Sequence, residues 1–403
     1  QPFSRAEFRH LPDGFIKFRY KSRNLSSWKQ HAKSAEAPQK PHAVSAYSIF
    51  SVSFDFYHFI SVFRVLLFLA EKKRCMIRKD TFDSKGEQNR MLSNFIIALE
   101  AVLPIFIIMG IGMLIRRKGL VDAHDVKKMN QTVFTVFFPV LMFSNLYGKD
   151  IRGAIEGKLM TFGVLAVLSV YALTVAVVMK LRKDPKTRGA MIQAIFRSNF
   201  VIMGITIVSN IFGGDELILP SVMITVIVPI YNVLAVVTLE VFRGSKPNFA
   251  HVLKQIASNP MLLGAVAGIF AVLIDLRLPQ VLEGMVSSMA GVATPMALLT
   301  LGAFFDFQSI ANRKKDIAIC VIGRLAVVPA IGLAVGILLG FRDIELVTLI
   351  AIFASPSAVS SFPMAQQMDS DAELAGDAVV FSSMFSCFTM FLWIFAAKSL
   401  GLF

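Results

Sequence analysis

The chain has 403 residues, of which 55% are hydrophobic and 17% charged, and its mean hydropathy is +0.64. A soluble domain does not need so much apolar side chain, and apolar runs of about 20 residues match the thickness of a bilayer rather than the length of a strand. The composition therefore excludes a soluble protein and predicts an all-α polytopic membrane protein.

The first 90 residues differ from the rest of the chain. They carry 17 Lys and Arg against 8 Asp and Glu, and no helical or strand period runs through them. Their one candidate span is interrupted by Asp55, His58 and Arg64, so it makes a poor transmembrane helix. We expect residues 1–90 to be an N-terminal extension that is disordered or, as the leading hypothesis, an over-extended reading frame ahead of Met91.

From Met91 onward, the apolar runs predict ten transmembrane helices. They cover residues 93–115, 130–147, 160–180, 190–211, 217–241, 258–275, 284–305, 317–340, 344–365 and 376–397. The loops that would share one side carry sixteen Lys and Arg, against six on the other side. The positive-inside rule then places the sixteen in the cytoplasm and both ends of the ten-helix unit outside. Because these basic residues set the orientation, the net charge of +14 does not indicate a nucleic-acid partner.

The ten spans divide into two sets of five. Residues 91–242 form the first five-helix repeat, residues 243–257 a cytoplasmic connector, and residues 258–403 the second repeat. Because an odd number of spans reverses the direction of the chain, the two repeats would be inverted relative to each other. In such transporters, interrupted apolar segments at matching places in the two halves indicate the binding site. We expect the interrupted fourth and ninth spans to be broken helices that cross in the interior.

The fourth span is interrupted by Arg197, Ser198 and Asn199. An arginine offers a planar fork of donors that suits a carboxylate, and a half-helix N-terminus beside it would add oriented N–H groups. Gly204 follows, where the backbone can loosen as a hinge. The alternative is that Arg197 lies near the cytoplasmic end of the span and extends its charge to the membrane surface. Asn199 needs a partner in either case, because a buried amide does.

The ninth span is interrupted by Ser355, Pro356 and Ser357, and Pro363 follows. Each proline removes a backbone donor, so we predict irregular backbone here and assign Pro356 and Pro363 to the hinge. Irregular backbone at membrane depth is tolerated only inside protein or beside water. The alternative is a kinked helix in which the serines bond to backbone carbonyls.

Several other polar residues lie within apolar runs. Asn145, Tyr231, Asn232 and Thr294 are possible cavity groups, although a packing role is the favoured interpretation for them. The residues that we assign to substrate binding are Arg197, Ser198, Asn199, Ser355, Pro356, Ser357 and Asn145. Arg324 follows Asp316 near the start of the eighth span, and we expect it at the membrane interface.

Signatures of catalysis are missing from the sequence. After Met91 the only histidines are His124 and His251, both in basic loops, and neither a Walker loop nor a nucleotide-binding glycine motif occurs. We predict that the protein is not an enzyme and uses no metal or cofactor. Transport would then be driven by a gradient, by the membrane potential or by a partner chain.

Four segments together resemble the auxin efflux carrier family, and specifically its bacterial members. They are MLSNFIIALEAVLPIFIIMGIGMLIRRKGLV from Met91, MNQTVFTVFFPVLMFSNL from Met129, RSNFVIMGI from Arg197 and ASPSAVSSFPMA from Ala354. The resemblance covers residues 91–403 and none of 1–90. It implies a ten-helix inverted repeat related to bile acid and sodium symporters, with crossing broken helices and elevator-like movement. It also implies that Asn199 and Pro356 correspond to the asparagine and proline at the crossover.

The resemblance and the paired interruptions predict a permease or efflux carrier for small organic anions, such as malonate-like carboxylates, in the bacterial cytoplasmic membrane. The expected partners are the anion, membrane lipids and, in a homodimer, a second copy of the chain. The alternatives are a carrier for a neutral or cationic solute and a ligand-binding channel or sensor that does not cycle. The direction of transport and the coupling ion stay open.

Overall fold

A computed structural model describes residues 86–148, 157–212, 217–243, 249–307 and 310–403. The predicted N-terminal extension therefore lies outside the described residues, except for residues 86–90, which are helical. Within the described ranges the chain forms helices and no β-strand, with one isolated antiparallel bridge. The prediction of an all-α protein is confirmed for this part of the chain.

The helices follow the apolar runs of the sequence. In chain order they are α1 Gly86–Arg117, α2 Ala123–Thr132, α3 Phe138–Leu146, α4 Gly157–Leu181, α5 Pro185–Phe196, α6 Phe200–Phe212, α7 Ile218–Val241, α8 Phe249–Ala257, α9 Pro260–Leu273, α10 Gln280–Phe304, α11 Ile310–Ile322, α12 Val328–Leu338, α13 Asp343–Ala354, α14 Ser361–Gln367 and α15 Ala372–Ser399. The fourth apolar run is divided between α5 and α6, and the ninth between α13 and α14.

Several helices begin at a side chain that caps the first turn. Asp184 accepts the Thr187 N–H at the start of α5, Asn259 accepts the Met261 N–H at α9, and Asp371 accepts the Leu374 N–H at α15. These bonds satisfy amide groups that have no partner inside the helix. At Asp184 the bond from the Thr187 amide also holds the pKa of the carboxyl below its usual value.

Two π-helical turns each precede a proline. Val133–Phe137 joins α2 to α3 ahead of Pro139, and Gly323–Val327 joins α11 to α12 ahead of Pro329. A proline inside a helix cannot donate to the carbonyl four residues earlier and collides with it, and a wider turn relieves that crowding. For Pro329 that carbonyl belongs to Leu325, and the Trp393 Nε1–H donates to it at 3.0 Å.

Five helical segments of the described chain are long and apolar enough to cross a membrane. They are Gly157–Leu181, Ile218–Val241, Gln280–Phe304, Ile310–Leu338 and Ala372–Ser399. Many of their large apolar side chains face outward, Leu165, Val281 and Phe388 among them. Such a surface is that of a protein surrounded by lipid rather than by water.

Helices from the two halves of the chain approach each other closely at glycines. A Cβ on Gly112 of α1 would lie 2.0 Å from the Leu299 carbonyl oxygen of α10, and one on Gly302 would lie 2.0 Å from the Met109 carbonyl oxygen. In the same way, a Cβ on Gly264 of α9 would lie 2.3 Å from the oxygen of Pro139. Small residues at these contacts let the backbones of α1 and α10, and of α3 and α9, touch directly.

Candidate functional site

The two breaks meet in the interior of the protein. Ser198 and Ser357 form an antiparallel bridge, and the Asn199 N–H donates to the Pro356 carbonyl at 2.8 Å. Both segments have extended backbone, with φ −89° and ψ 125° at Arg197 and φ −61° and ψ 148° at Ser355. The ninth run is therefore broken rather than kinked, and the meeting of the two breaks gives the protein a helix crossing.

The helix crossing has a carbonyl side, formed by the C-terminal ends of α5 and α13. The last four carbonyls of a helix have no partner within it, so in the interior they need other donors. At α5, Gln193 accepts the Arg197 N–H at 3.2 Å, and Ala194 accepts the Ser357 hydroxyl at 2.6 Å. At α13, Ala351 accepts the hydroxyl of Ser355. The serines of the second break therefore cap both helices.

Arg324 binds five further backbone carbonyls at and beside these helix ends. Its guanidinium is fully buried and donates to the oxygens of Ile195, Phe196, Ile352, Phe353 and Ser355 at 2.7 to 3.2 Å. The expectation that Arg324 lies at the membrane interface is wrong. The π-helical turn before Pro329 carries it, and from there the side chain reaches the ends of both broken helices.

On the other side of the crossing lies a cavity of about 80 Å³. Because one water needs roughly 10 to 15 Å³ by this measure, the cavity has room for several waters or a small solute. It lies at the N-terminal end of α6 and beside the segment 358–360. The lining residues are Phe138, Leu141, Met142, Asn145, Arg197, Ser198, Asn199, Val201, Val228, Tyr231, Asn232, Thr294, Ala358, Val359 and Ser360.

Arg197 is the charged residue of this cavity, and it is 3% exposed. Its Nη2 donates to Oδ1 of Asn232 in α7, and its Nη1 lies 2.8 Å from Sδ of Met364 in α14. It forms no ion pair with a described carboxylate. The alternative in which Arg197 extends to the membrane surface is therefore not the arrangement found, since the side chain is buried at the break.

One further donor of the cavity lacks a partner. Asn199 Nδ2 is buried and makes no hydrogen bond to any described group, whereas the Ser198 hydroxyl lies beside that of Tyr231. A buried polar atom without a partner costs about 1 to 3 kcal/mol, so such atoms call for an explanation. Here the atom belongs to a residue that lines the cavity, which is where a bound molecule or water would complete its bonding.

The structure divides the sequence-predicted residues between the two sides of the crossing. Arg197, Ser198, Asn199 and Asn145 line the cavity, whereas residues 355–357 are buried on the carbonyl side. Tyr231, Asn232 and Thr294, for which packing was the favoured interpretation, also line the cavity. Helical periodicity gives no sign of this, because their neighbours in the cavity come from distant parts of the chain.

The two remaining hinge residues lie inside helices. Pro363 occupies the first turn of α14, where its missing N–H costs no intrahelical bond. Gly204 belongs to α6, and its surroundings are outside the described residues. Sequence reasoning also missed Ser360, which borders the cavity directly before α14.

Apolar helices that surround a cavity with convergent polar groups at a helix crossing are typical of a multi-pass membrane protein of the solute-transporter class. The sequence pattern of the membrane transport protein family, which includes the auxin efflux carriers, matches residues 97–394. The chain belongs to that family, which confirms the resemblance seen in the sequence.

A relative of known sequence is an "uncharacterized transporter" of the archaeon Methanothermobacter thermautotrophicus. It is 22% identical to this chain over 303 residues, which are 74% of this chain and 98% of the relative. Its printed description agrees with transport and names no solute.

Proposed function

We propose that this protein is a secondary or potential-driven carrier for small organic anions such as malonate-like carboxylates. The observation that carries the proposal is Arg197, a buried cation that lines the cavity and has no ion pair among the described residues. Buried charges are normally paired, because leaving water without a counter-charge is costly. A carboxylate substrate would supply that counter-charge for part of each transport cycle.

The groups around Arg197 favour an anion over a cation. Asn199 Nδ2 is a donor in need of an acceptor, and a carboxylate offers only acceptors. The cavity also adjoins the N-terminal end of α6, which adds a partial positive charge of about half a unit. We expect one carboxylate to bind here. The second carboxylate of a dicarboxylate would meet Asn145 and Thr294, which come from α3 and α10.

We further propose that the ten apolar runs form two inverted repeats that move as two bodies. In an inverted repeat, contacts recur between corresponding helices of opposite halves. The glycine contacts of α1 with α10 and of α3 with α9 have that form, since each pairs the first helix of one half with the second of the other. One body would comprise α1–α3, α9 and α10, and the other the helices around the crossing.

The cavity supports an elevator-like mechanism. Asn145 and Thr294 belong to the first proposed body, and Arg197 and Asn199 to the second. A site between two bodies changes its access when one slides against the other. The orientation predicted from the loop charges, with both ends of the ten-helix unit outside, remains part of the proposal.

The experiment that tests the proposal is uptake into liposomes that contain the purified protein. Labelled malonate, a monocarboxylate, a neutral solute and a cation are compared under an imposed membrane potential. We expect saturable uptake of an anion, and counterflow of that anion, which a channel does not give. The matched control is the double variant Arg197→Ala, Asn199→Ala. Uptake of the neutral solute or the cation alone, or anion uptake no faster than in the double variant, would overturn the proposal.

A further inference from the structure

Arg324 donates hydrogen bonds to five backbone carbonyls on the carbonyl side of the crossing. The guanidinium has five N–H donors, one on Nε and two on each Nη. Nε donates to Ser355 O at 2.7 Å, and Nη1 donates to the oxygens of Ile195 and Phe196 at 3.2 and 3.1 Å. Nη2 donates to the oxygens of Ile352 and Phe353 at 2.8 and 2.9 Å. Five donors therefore meet five backbone oxygens.

The charge of Arg324 is balanced by helix ends. Five backbone carbonyls accept its hydrogen bonds, the side chain of Tyr231 lies beside the guanidinium, and it forms no ion pair with a carboxylate of the described chain. The C-terminal end of a helix carries roughly half a negative charge. The ends of α5 and α13 together therefore supply about one negative charge, which one guanidinium neutralises.

Carbonyl oxygens that converge at the ends of broken helices can bind a cation. In transporters with discontinuous helices, unwound carbonyls and half-helix C-terminal ends hold the coupling cation. Here Arg324 occupies the corresponding carbonyls at Ile195, Phe196, Ile352, Phe353 and Ser355. Because the side chain is covalently attached, this cation does not bind or leave during a cycle.

We propose that Arg324 is a built-in cation that positions the crossing, in the place that a bound metal ion would otherwise take. It joins α5 to α13, so that the two helix ends move as one body. It also cancels their negative potential, which would otherwise attract cations to the crossing and oppose an anion at Arg197. The part of this role that concerns anion transport rests on the proposed function.

Contacts of Trp393 and Gly323 hold the turn that carries Arg324 in place. The π-helical turn Gly323–Val327 carries Arg324, and the Leu325 carbonyl released by Pro329 is bound by the indole of Trp393. Gly323 lies against Ile195, where an added Cβ would come within 3.3 Å of that side chain. The turn therefore brings the α11–α12 backbone close to the end of α5, within reach of the arginine.

The test is chemical rescue of the full-length variant Arg324→Ala with guanidinium. The thermal unfolding temperature and reconstituted anion uptake are measured in 0 to about 50 mM guanidinium chloride, far below denaturing concentrations. Tetramethylammonium chloride is the control, because this cation has no N–H donor. We expect the unfolding temperature of the variant to rise saturably with guanidinium only, and the wild type to show no such rise.

The rate of anion uptake distinguishes the proposed role of Arg324 from a purely structural one, which would leave uptake by the folded variant unchanged. At a temperature where Arg324→Ala stays folded, we expect uptake at least tenfold slower than wild type, with the maximal rate restored in part by guanidinium. An unfolding temperature that responds equally to both cations, or wild-type uptake by the folded variant, would overturn the inference. If the wild type moves no anion, the proposed function fails, while the unfolding temperatures still decide the role of Arg324.

A second variant covers the case in which Arg324→Ala does not fold. Arg324→Lys keeps the charge but offers three donors in place of five, so we expect an unfolding temperature below that of the wild type. Addition of guanidinium during solubilisation should then recover folded Arg324→Ala, whereas tetramethylammonium should not. Failure of guanidinium to recover any folded protein, together with an Arg324→Lys variant as stable as the wild type, would contradict the proposal.

Discussion

On the carbonyl side of the helix crossing, the described helix ends are bound by Arg324, Ser355 and Ser357, whereas on the cavity side Asn199 Nδ2 has no partner among the described residues. Both sides hold a buried arginine. Arg324 makes five bonds to backbone oxygens, and Arg197 makes one to an amide oxygen and one to a sulfur. We infer that the carbonyl side, whose backbone oxygens are bound, maintains the structure and that the cavity side is kept for a ligand.

The comparison can be broken most directly by replacing Arg324 with methionine, which is also unbranched near the backbone but has no hydrogen-bond donor. Five buried carbonyls would lose their partner, at about 1 to 3 kcal/mol for an unsatisfied buried group. We expect a loss of folding stability of at least about 3 kcal/mol, measured as a large fall in the thermal unfolding temperature of the solubilised protein.

The control for this variant is Arg182→Met. Arg182 pairs with Asp316, and its side chain is 30% exposed. Partly exposed ion pairs contribute about 0 to 1 kcal/mol, so its removal should change the unfolding temperature little. Equal unfolding temperatures in the Arg324 and Arg182 variants would show that the carbonyl side does not depend on its arginine.

The corresponding change on the cavity side is Arg197→Met. Only the Asn232 oxygen and the Met364 sulfur lose a contact, and a buried charge is removed, so the unfolding temperature should stay near that of the wild type. A hydrogen bond to a charged group contributes about 1.5 to 3 kcal/mol, which corresponds to tenfold or more in affinity. We expect anion uptake at sub-saturating concentration to fall at least tenfold, while the exposed Lys398→Met leaves it unchanged.

A smaller effect is expected from Asn199→Ala, which removes one neutral donor. Such a bond contributes about 0.5 to 1.5 kcal/mol, so the KM for the anion should rise about two- to tenfold. Asn199→Asp should raise it further, because a carboxylate in the cavity would pair with Arg197 and repel the substrate.

Ser357→Ala is the matched change on the carbonyl side. Ser357 donates to the Ala194 carbonyl at 2.6 Å and does not line the cavity. We expect it to lower the unfolding temperature and leave the KM near its wild-type value. A rise in KM equal to that of Asn199→Ala would show that the two sides are not separate.

The breaks themselves could be predicted from the sequence because their cause is local. Pro356 cannot donate a backbone hydrogen bond, and Arg197 and Asn199 stand out in an apolar run. That the two breaks meet could be predicted only by assuming an inverted repeat. The bridge between Ser198 and Ser357 could not be predicted, because it is a tertiary contact between distant parts of the chain.

The role of Arg324 could not be predicted in the same way. A single arginine near the start of an apolar run is usually interfacial, and nothing nearby indicates carbonyls at Ile195 and Ile352. The flanking Gly323 and Pro329 were the available signal, since together they permit a wider helical turn. For Asn232 and Thr294 the sequence left a cavity role and a packing role open, because which face of a helix meets a cavity depends on helices far away in the sequence.

The smallest effect that separates the two sides is expected from Trp393→Phe. Phenylalanine keeps an aromatic ring but has no N–H to donate to the Leu325 carbonyl, which Pro329 cannot bind either. Loss of this hydrogen bond should cost about 0.5 to 1.5 kcal/mol of folding stability. The unfolding temperature should fall by a few degrees, whereas the KM for the anion should not change, because Trp393 does not line the cavity. Phe385→Leu, at an exposed position of the same helix, is the control for loss of ring surface. A rise in the KM without a change in the unfolding temperature would contradict this expectation. It would mean that the π-helical turn, which carries Arg324, contributes to binding in the cavity.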